Sequence, residues 1–195
     1  MKITFIGGFY PEIGGPFSAL KNLLHALSYR NHNVSIISAL PSSYDKNKLR
    51  FIKDLPFKVR FLRQGLFSHI IPSYSKYWKK ELQHKVKETE IFHINGMFDH
   101  YSMLISNLNE PYVLSLRGSF MKNAYKLTKF KEFKKKIFMK LLGRRILNRA
   151  ALIHVMCQKE LEDFLSFFPD LKEKVRIIPN GLNLSEFQNL PSKNI

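Results

Sequence analysis

Three short stretches of this 195-residue chain carry residue types that can do chemistry. Gly14 and Gly15 precede Pro16 and an apolar helical period, which places them where a helix begins. Free N–H groups and the helix dipole favour an anion there, and glycine lets a ligand come close to the backbone. The pair is expected to present bare amide hydrogens to an open groove; the competing reading is a plain turn. His93 and Asn95 alternate with Ile94 in a short apolar run, so they share one face of a strand. They can hydrogen-bond ligand hydroxyls, or His93 can be a buried, satisfied core residue. Arg117-Gly118 follows the apolar run 112–116. A guanidinium at a strand's carboxyl end can stabilise charge developing on a phosphate. Its alternative is a solvated cation that opens a basic helix.

Other chemistries find no support. The loop at 7–15 is neither G-x-G-x-x-G nor G-x-x-x-x-G-K-[ST], and no acid stands about 20 residues on to hold a ribose. A nicotinamide cofactor and a P-loop are disfavoured. His69, His84, His100 and His154 show no H-E-x-x-H or other metal spacing, so no metal is assigned. Cys157 is the single cysteine, which rules out an intrachain disulfide and a cysteine zinc site and suits a reducing compartment. Glu160 lies three residues after Cys157, where a capping-box glutamate belongs, and Asp99 reads as a helix cap.

These residues need a scaffold that brings strand ends together. Phe17, Leu20, Leu24 and Leu27 mark an amphipathic helix. Apolar strand runs fall at 2–7, 34–38, 57–61, 91–94, 112–116, 152–155 and 175–178, with helical stretches near 74–88, 99–108, 120–148 and 158–168. Residues 39–50 read as loop. Alternating strands and helices predict an α/β, Rossmann-like parallel sheet with helices on both faces. In such a sheet, ligands sit at the carboxyl ends of the strands.

The net charge is +17, and it is concentrated: residues 117–149 hold twelve basic residues and one acid. Within 122–149, Phe130, Phe133, Ile137, Phe138, Leu141 and Leu142 form an apolar helical stripe among lysines. One reading is a core-packed helix with a solvated basic back; the other is a helix lying on an anionic membrane surface. No run of about 18 apolar residues suggests a spanning helix. Nucleic-acid motifs are absent and no nucleic-acid partner is expected.

Five segments resemble one family in order. Phe9-Tyr10-Pro11 with Gly14-Gly15 resembles the F-Y-P-x-x-G-G opening of the GT-B-fold glycosyltransferases, the large retaining nucleotide-sugar family. His93-Ile94-Asn95-Gly96-Met97-Phe98 is similar to its H-x-H-G segment, and Ser115-Leu116-Arg117-Gly118-Ser119 to its S-x-R-G segment. Arg149 to His154 with Glu160 resembles R-A-D-x-I-H-x-x-S-x-x-E, and Ile178-Pro179-Asn180-Gly181 with Phe187 resembles the closing I-P-N-G-V-D…F. Three positions depart: Asn95 stands for a second histidine, Ala151 for an acid, and Cys157 for a Ser/Thr cap.

The resemblance implies a single N-terminal, acceptor-side GT-B domain over 1–187, with 188–195 starting a linker and the second domain absent. It implies that Gly14 and Gly15 cradle a sugar-nucleotide diphosphate and that Arg117 is catalytic. His93, Asn95 and Gly118 would bind substrate. The implied function is sugar transfer from a nucleotide sugar to a polysaccharide or lipid-linked acceptor in cell-envelope glycan synthesis, without a metal or resident cofactor. Such a half would be inactive without a donor-binding domain and would lie in the cytoplasm or on the inner membrane face. A non-catalytic acceptor- or membrane-binding remnant is the alternative.

Overall fold

Phe5 and Ile6 of the first strand, and Ile36 and Ile37 of the second, divide between two apolar clusters. Adjacent strand residues point to opposite sheet faces, so such runs are apolar because both faces are covered. The computed structural model describes residues 1–121, 129–182 and 184. Lys122 to Thr128 of the basic stretch, Asn183, Phe187 and the expected linker at 188–195 lie outside the described residues, as does the side chain of Phe130.

Seven strands form one parallel sheet: β1 (Lys2–Ile6), β2 (Asn33–Leu40), β3 (Lys58–Arg63), β4 (Ile91–Asn95), β5 (Tyr112–Ser115), β6 (Leu152–Val155) and β7 (Val175–Ile177). Their order is β3-β2-β1-β4-β5-β6-β7. The order reverses between β1 and β4, which pair Ile3 to Ile91 through Ile6 to Ile94. That reversal opens a crevice at the carboxyl ends, where α/β sheets bind ligands.

The helices are α1 (Gly15–Tyr29), α2 (Trp78–Val86), α3 (His100–Ile105), α4 (Lys129–Phe138), α5 (Arg144–Arg149) and α6 (Gln158–Phe167). Leu20 and Leu24 of α1 pack with Phe5, Phe9, Val34, Ile36 and Phe57 on one face. Trp78, Leu82, Tyr101, Ile105, Ile146, Leu147 and Phe164 belong to the larger cluster. The expected architecture is therefore the observed one, with local differences. Residues 39–50 are not all loop: β2 runs to Leu40, and a 3₁₀ segment, Lys46–Asp54, packs Phe51 against Phe9 and Phe17.

The expected long helix over 120–148 is interrupted. A π turn, Met139–Gly143, joins α4 to α5. A Cβ on Gly143 would press on the thioether ends of Met139 and Met97, which would have to move. The apolar stripe also divides. Phe138, Met139 and Leu142 pack on the core, while Phe133, Ile137 and Leu141 are 60%, 43% and 70% exposed. The core-packed reading therefore accounts for only one side of this helix. Among the described residues no helix is long and apolar enough to cross a membrane.

Candidate active site

The loop after β1 is anchored rather than loose. Phe9 is buried and its N–H donates to Ser38 Oγ at 2.8 Å. Glu12 accepts from Tyr44 Oη at 2.7 Å and Lys48 Nζ at 3.0 Å. Gly14 caps α1 at φ 67°, ψ −127°, backbone that side-chain-bearing residues rarely adopt. Its N–H is not bare, which corrects the sequence expectation: it donates to Pro11 O at 2.9 Å and closes a 3₁₀ turn. The Gly15 N–H has no such partner among the described residues, and a Cβ at either glycine would meet nothing within 4 Å. One amide, not two, is left open at the start of α1.

At the crevice β1 and β4 nearly touch. A Cβ on Gly7 would lie 2.8 Å from Asn95 Cβ, so only glycine fits at position 7. Asn95 Oδ1 accepts from Arg117 Nε at 3.2 Å and from Nη2 at 3.0 Å. Arg117 Nη1 donates to Asn180 Oδ1 at 2.7 Å. Arg117 itself has φ 52° and Gly118 has φ 77°, so the chain turns sharply out of β5. A non-glycine residue held there stores roughly 1–3 kcal/mol of strain, a cost that concentrates at functional sites. Among the described residues no carboxylate forms a salt bridge with Arg117. The guanidinium is held by two amide oxygens and by the Met156 sulfur, 3.8 Å from Nη1. Burial lowers its pKa from the ordinary range while the Glu160 charge opposes that shift. The Asn95 Nδ2 donor beside it is buried without a partner. A ligand acceptor would relieve an unpaired donor worth about 1–3 kcal/mol.

Glu160 supports this turn. It is fully buried, and its carboxylate accepts from the N–H of Gly118 and, at 2.7 Å, from that of Met156. The expected capping-box bond to Cys157 is not what it makes. The glutamate ties the start of α6 to the turn after β5.

His93 is half-buried and satisfied. Its ring stacks on Phe5 at 4.6 Å, and Nε2 lies 2.7 Å from Ser115 Oγ. Ser115 Oγ lies 2.6 Å from His154 Nδ1, and His154 Nε2 lies 2.7 Å from Ile178 O. A carbonyl only accepts, so His154 Nε2 carries the proton and Nδ1 accepts from Ser115. Ser115 then accepts from His93 Nε2–H. One carbonyl after β7 thus fixes both tautomers. Burial, then His154 and Arg117, pushes the His93 pKa down to about 3, and burial leads the lowering of His154. Burial thus favours the neutral form of both rings.

Asp99 does not cap α3: its side chain makes no cap bond. Oδ1 instead accepts from Ser73 Oγ at 2.6 Å. Burial raises its pKa against the opposing bonds from Ser73 and Tyr101. Among the described residues, no three His, Cys, Asp or Glu side chains converge as metal ligands. A cavity of about 990 Å³ between β3 and α2 lies at the sheet's outer edge, lined by Arg60, Arg63, Lys80, Glu81 and His84. It is separate from the crevice at the sheet's carboxyl ends.

Residues 13–186 match Glycosyltransferase Family 4. The chain belongs to glycosyltransferase family 4. No curated protein sequence matches it. Among solved structures, Anabaena HepE in complex with UDP and glucose is similar at a TM-score of 0.65 and 14% identity, over 98% of this chain and 47% of that one. Sucrose-phosphate synthase from Thermosynechococcus elongatus is similar at 0.58 and 14%, over 95% and 49%. Phytolacca americana UGT2 is similar at 0.57 and 11%, over 96% and 54%. The family 4 chain thus spans about half the length of these structures and shares the fold of a GT-B-type domain.

The structure brings Asn95, Arg117 and Gly118 together, with His93 behind them, and Gly14–Gly15 on the neighbouring loop. Sequence reasoning gave no role to Ser115 or Asn180 and read Glu160 only as a cap. Asn180 sits within the quoted I-P-N-G segment, but only the return of that segment past β6 reveals its contact with Arg117.

Proposed function

We propose that this domain is the acceptor-side lobe of a retaining glycosyltransferase that uses a nucleotide sugar. The observation that carries the reading is Arg117: a half-buried cation at the carboxyl end of β5, one strand from the β1/β4 reversal, held by two amide oxygens and by no salt bridge to an acid among the described residues. In transfer to a hydroxyl, the sugar passes through an oxocarbenium-like state and negative charge grows on the departing diphosphate. A preorganised guanidinium stabilises that charge, and losing one aimed donor costs about 10²–10³ in rate. The Gly15 amide and the buried Asn95 Nδ2 add neutral donors nearby. Gly118 shapes the turn that aims Arg117. The reading calls for no metal or resident cofactor.

The donor nucleotide would sit mainly on a second lobe, so this chain alone would turn over little or no sugar nucleotide. The acceptor in this reading is a polysaccharide or lipid-linked glycan of the cell envelope. The exposed Phe133, Ile137 and Leu141, with Lys140 and Arg145 on the same helical stretch, support a peripheral position on an anionic membrane.

Titration calorimetry with UDP and with pyrophosphate tests the reading. The chain should bind pyrophosphate weakly, and Arg117→Ala should weaken it at least tenfold. Affinity indifferent to that substitution, or robust UDP-glucose turnover by the 195-residue chain, would overturn the proposal.

A further inference from the structure

The strand β3 ends the sheet on one side, and half of its backbone polar groups face outward. Gln64 N–H donates to Leu40 O at 2.8 Å, one position beyond the β2–β3 register. In a parallel ladder the N–H and C=O of one residue point the same way, and the direction alternates along the strand. Arg60 and Leu62 therefore bond toward β2, and the N–H and C=O of Val59, Phe61 and Arg63 point to the open edge. Those groups have no protein partner among the described residues. The same three residues line the cavity of about 990 Å³ against α2. An added strand lies about 4.8 Å from its neighbour, and this cavity leaves that space free.

The groove is also strongly charged. Lys58, Arg60, Arg63, Lys80 and Lys85 line it. Its two acids are already engaged: Glu81 Oε2 is 3.5 Å from Arg60 Nε, and Glu88 Oε2 is 2.8 Å from Lys85 Nζ. Among the described residues Lys58, Arg63 and Lys80 form no salt bridge. A smaller cavity of about 290 Å³ shares Lys58, Lys85 and Glu88 and adds Lys2 and Lys87, so the positive lining continues to the amino end of the sheet. Lys58 and Arg60 alternate with Val59 and Phe61, which puts the two cations on one face of β3, the face of Glu81 and α2. Phe61 is half-buried and belongs to neither apolar cluster.

We propose that this edge groove binds an extended acidic segment of a partner protein, which pairs with β3 as an added strand. A peptide strand supplies N–H and C=O groups at the repeat of β3 itself, and main-chain pairing of this kind gives affinity while alternate side chains give specificity. Acids at every second position would meet Lys58, Arg60 and Lys80, with apolar residues between them. A second copy of this chain fits poorly, because its own β3 would set Lys58, Arg60 and Arg63 against the same cations. Charge at a sheet edge blocks like strands in this way and leaves the edge open to an opposite one. The inference does not depend on the glycosyltransferase reading.

Fluorescence anisotropy on the full chain, with the labelled peptide E-V-E-T-E-V-E, tests the groove. The peptide should bind, more weakly as salt rises, and its lysine counterpart K-V-K-T-K-V-K should not. Methylating every peptide nitrogen keeps the charges and removes the N–H donors, and should weaken binding by about tenfold or more. Lys58→Glu with Lys80→Glu should cost a similar factor, whereas Lys172→Glu, beside the opposite edge strand, should bind as wild type. Arg63→Pro should lose more than Arg63→Gln, because only the proline also removes an edge-facing N–H. The methylated peptide is compared on the unaltered protein, so a variant that fails to fold leaves the test standing. No binding of the acidic peptide overturns the proposal, as does equal binding of its methylated form. Binding of heparin or poly(U) without the peptide also overturns it and makes the groove a polyanion site.

Discussion

The guanidinium of Arg117 rests on the Asn95 carboxamide through two hydrogen bonds to one oxygen, at 3.2 and 3.0 Å. The residues come from adjacent strand ends and are 22 positions apart in sequence. Because the acceptor is neutral, the cation keeps its charge for a ligand. Asn95→Asp would place a carboxylate at the same distance and convert the contact into an ion pair. Pyrophosphate affinity, measured by calorimetry, should then fall about tenfold or more, while the thermal midpoint holds or rises.

Gly7 is the point at which β1 and β4 leave no space. Gly7→Ala brings its Cβ to 2.8 Å from Asn95 Cβ, and backbone on both sides must shift. Overpacking of this kind destabilises by roughly 1–3 kcal/mol. Denaturant unfolding should show that loss, and the displaced Asn95 should also weaken pyrophosphate binding. An unchanged midpoint would mean that the strand ends are less tightly apposed than described.

Glu160 satisfies two backbone donors from separate segments. In Glu160→Ala, each part-buried N–H loses its acceptor at up to about 1–3 kcal/mol, so a total of no more than about 2–6 kcal/mol is expected. Hydrogen exchange should quicken first at Gly118 and Met156. If exchange there stays as slow as in wild type, another acceptor serves those amides.

The depressed histidines make stability pH-dependent. In the unfolded chain His93 takes a proton near its ordinary 6.5, whereas in the fold it does so only at about 3. Between those values the unfolded state holds the extra proton, so acidification favours unfolding. Stability should be full above 6.5 and decline by roughly 1.4 kcal/mol per pH unit below it, with His154 adding in the same direction. Urea titrations from neutrality to about pH 5 should show this slope, and His93→Gln should flatten it. A slope that survives the substitution unchanged would assign it elsewhere.

The exposed side of the α4–α5 helix can be tested without disturbing the core. Replacing Phe133, Ile137 and Leu141 together by glutamate should leave unfolding free energy nearly unchanged, because these side chains already face solvent. Flotation with anionic vesicles should lose the bound fraction, and neutral vesicles should bind neither protein. Equal recovery on both vesicle types would refute the membrane position.

The sequence alone determined the alternation of strands and helices, the parallel α/β architecture, and the edge of the sheet on which Gly15, Asn95 and Arg117 stand. Those features follow from periodicity and from the rule that parallel strands share a carboxyl end. It did not show that the Gly14 amide closes back on Pro11, because a three-residue turn and a ligand cradle use the same glycine. Nor did it show that Glu160 holds Gly118, that Ile178 orients His154 and His93, or that Asp99 turns from its helix to Ser73. Each of those contacts joins residues brought together by strand order and loop path. Hydrogen bonding depends on distances of about 3 Å and on direction, and only the folded chain sets both.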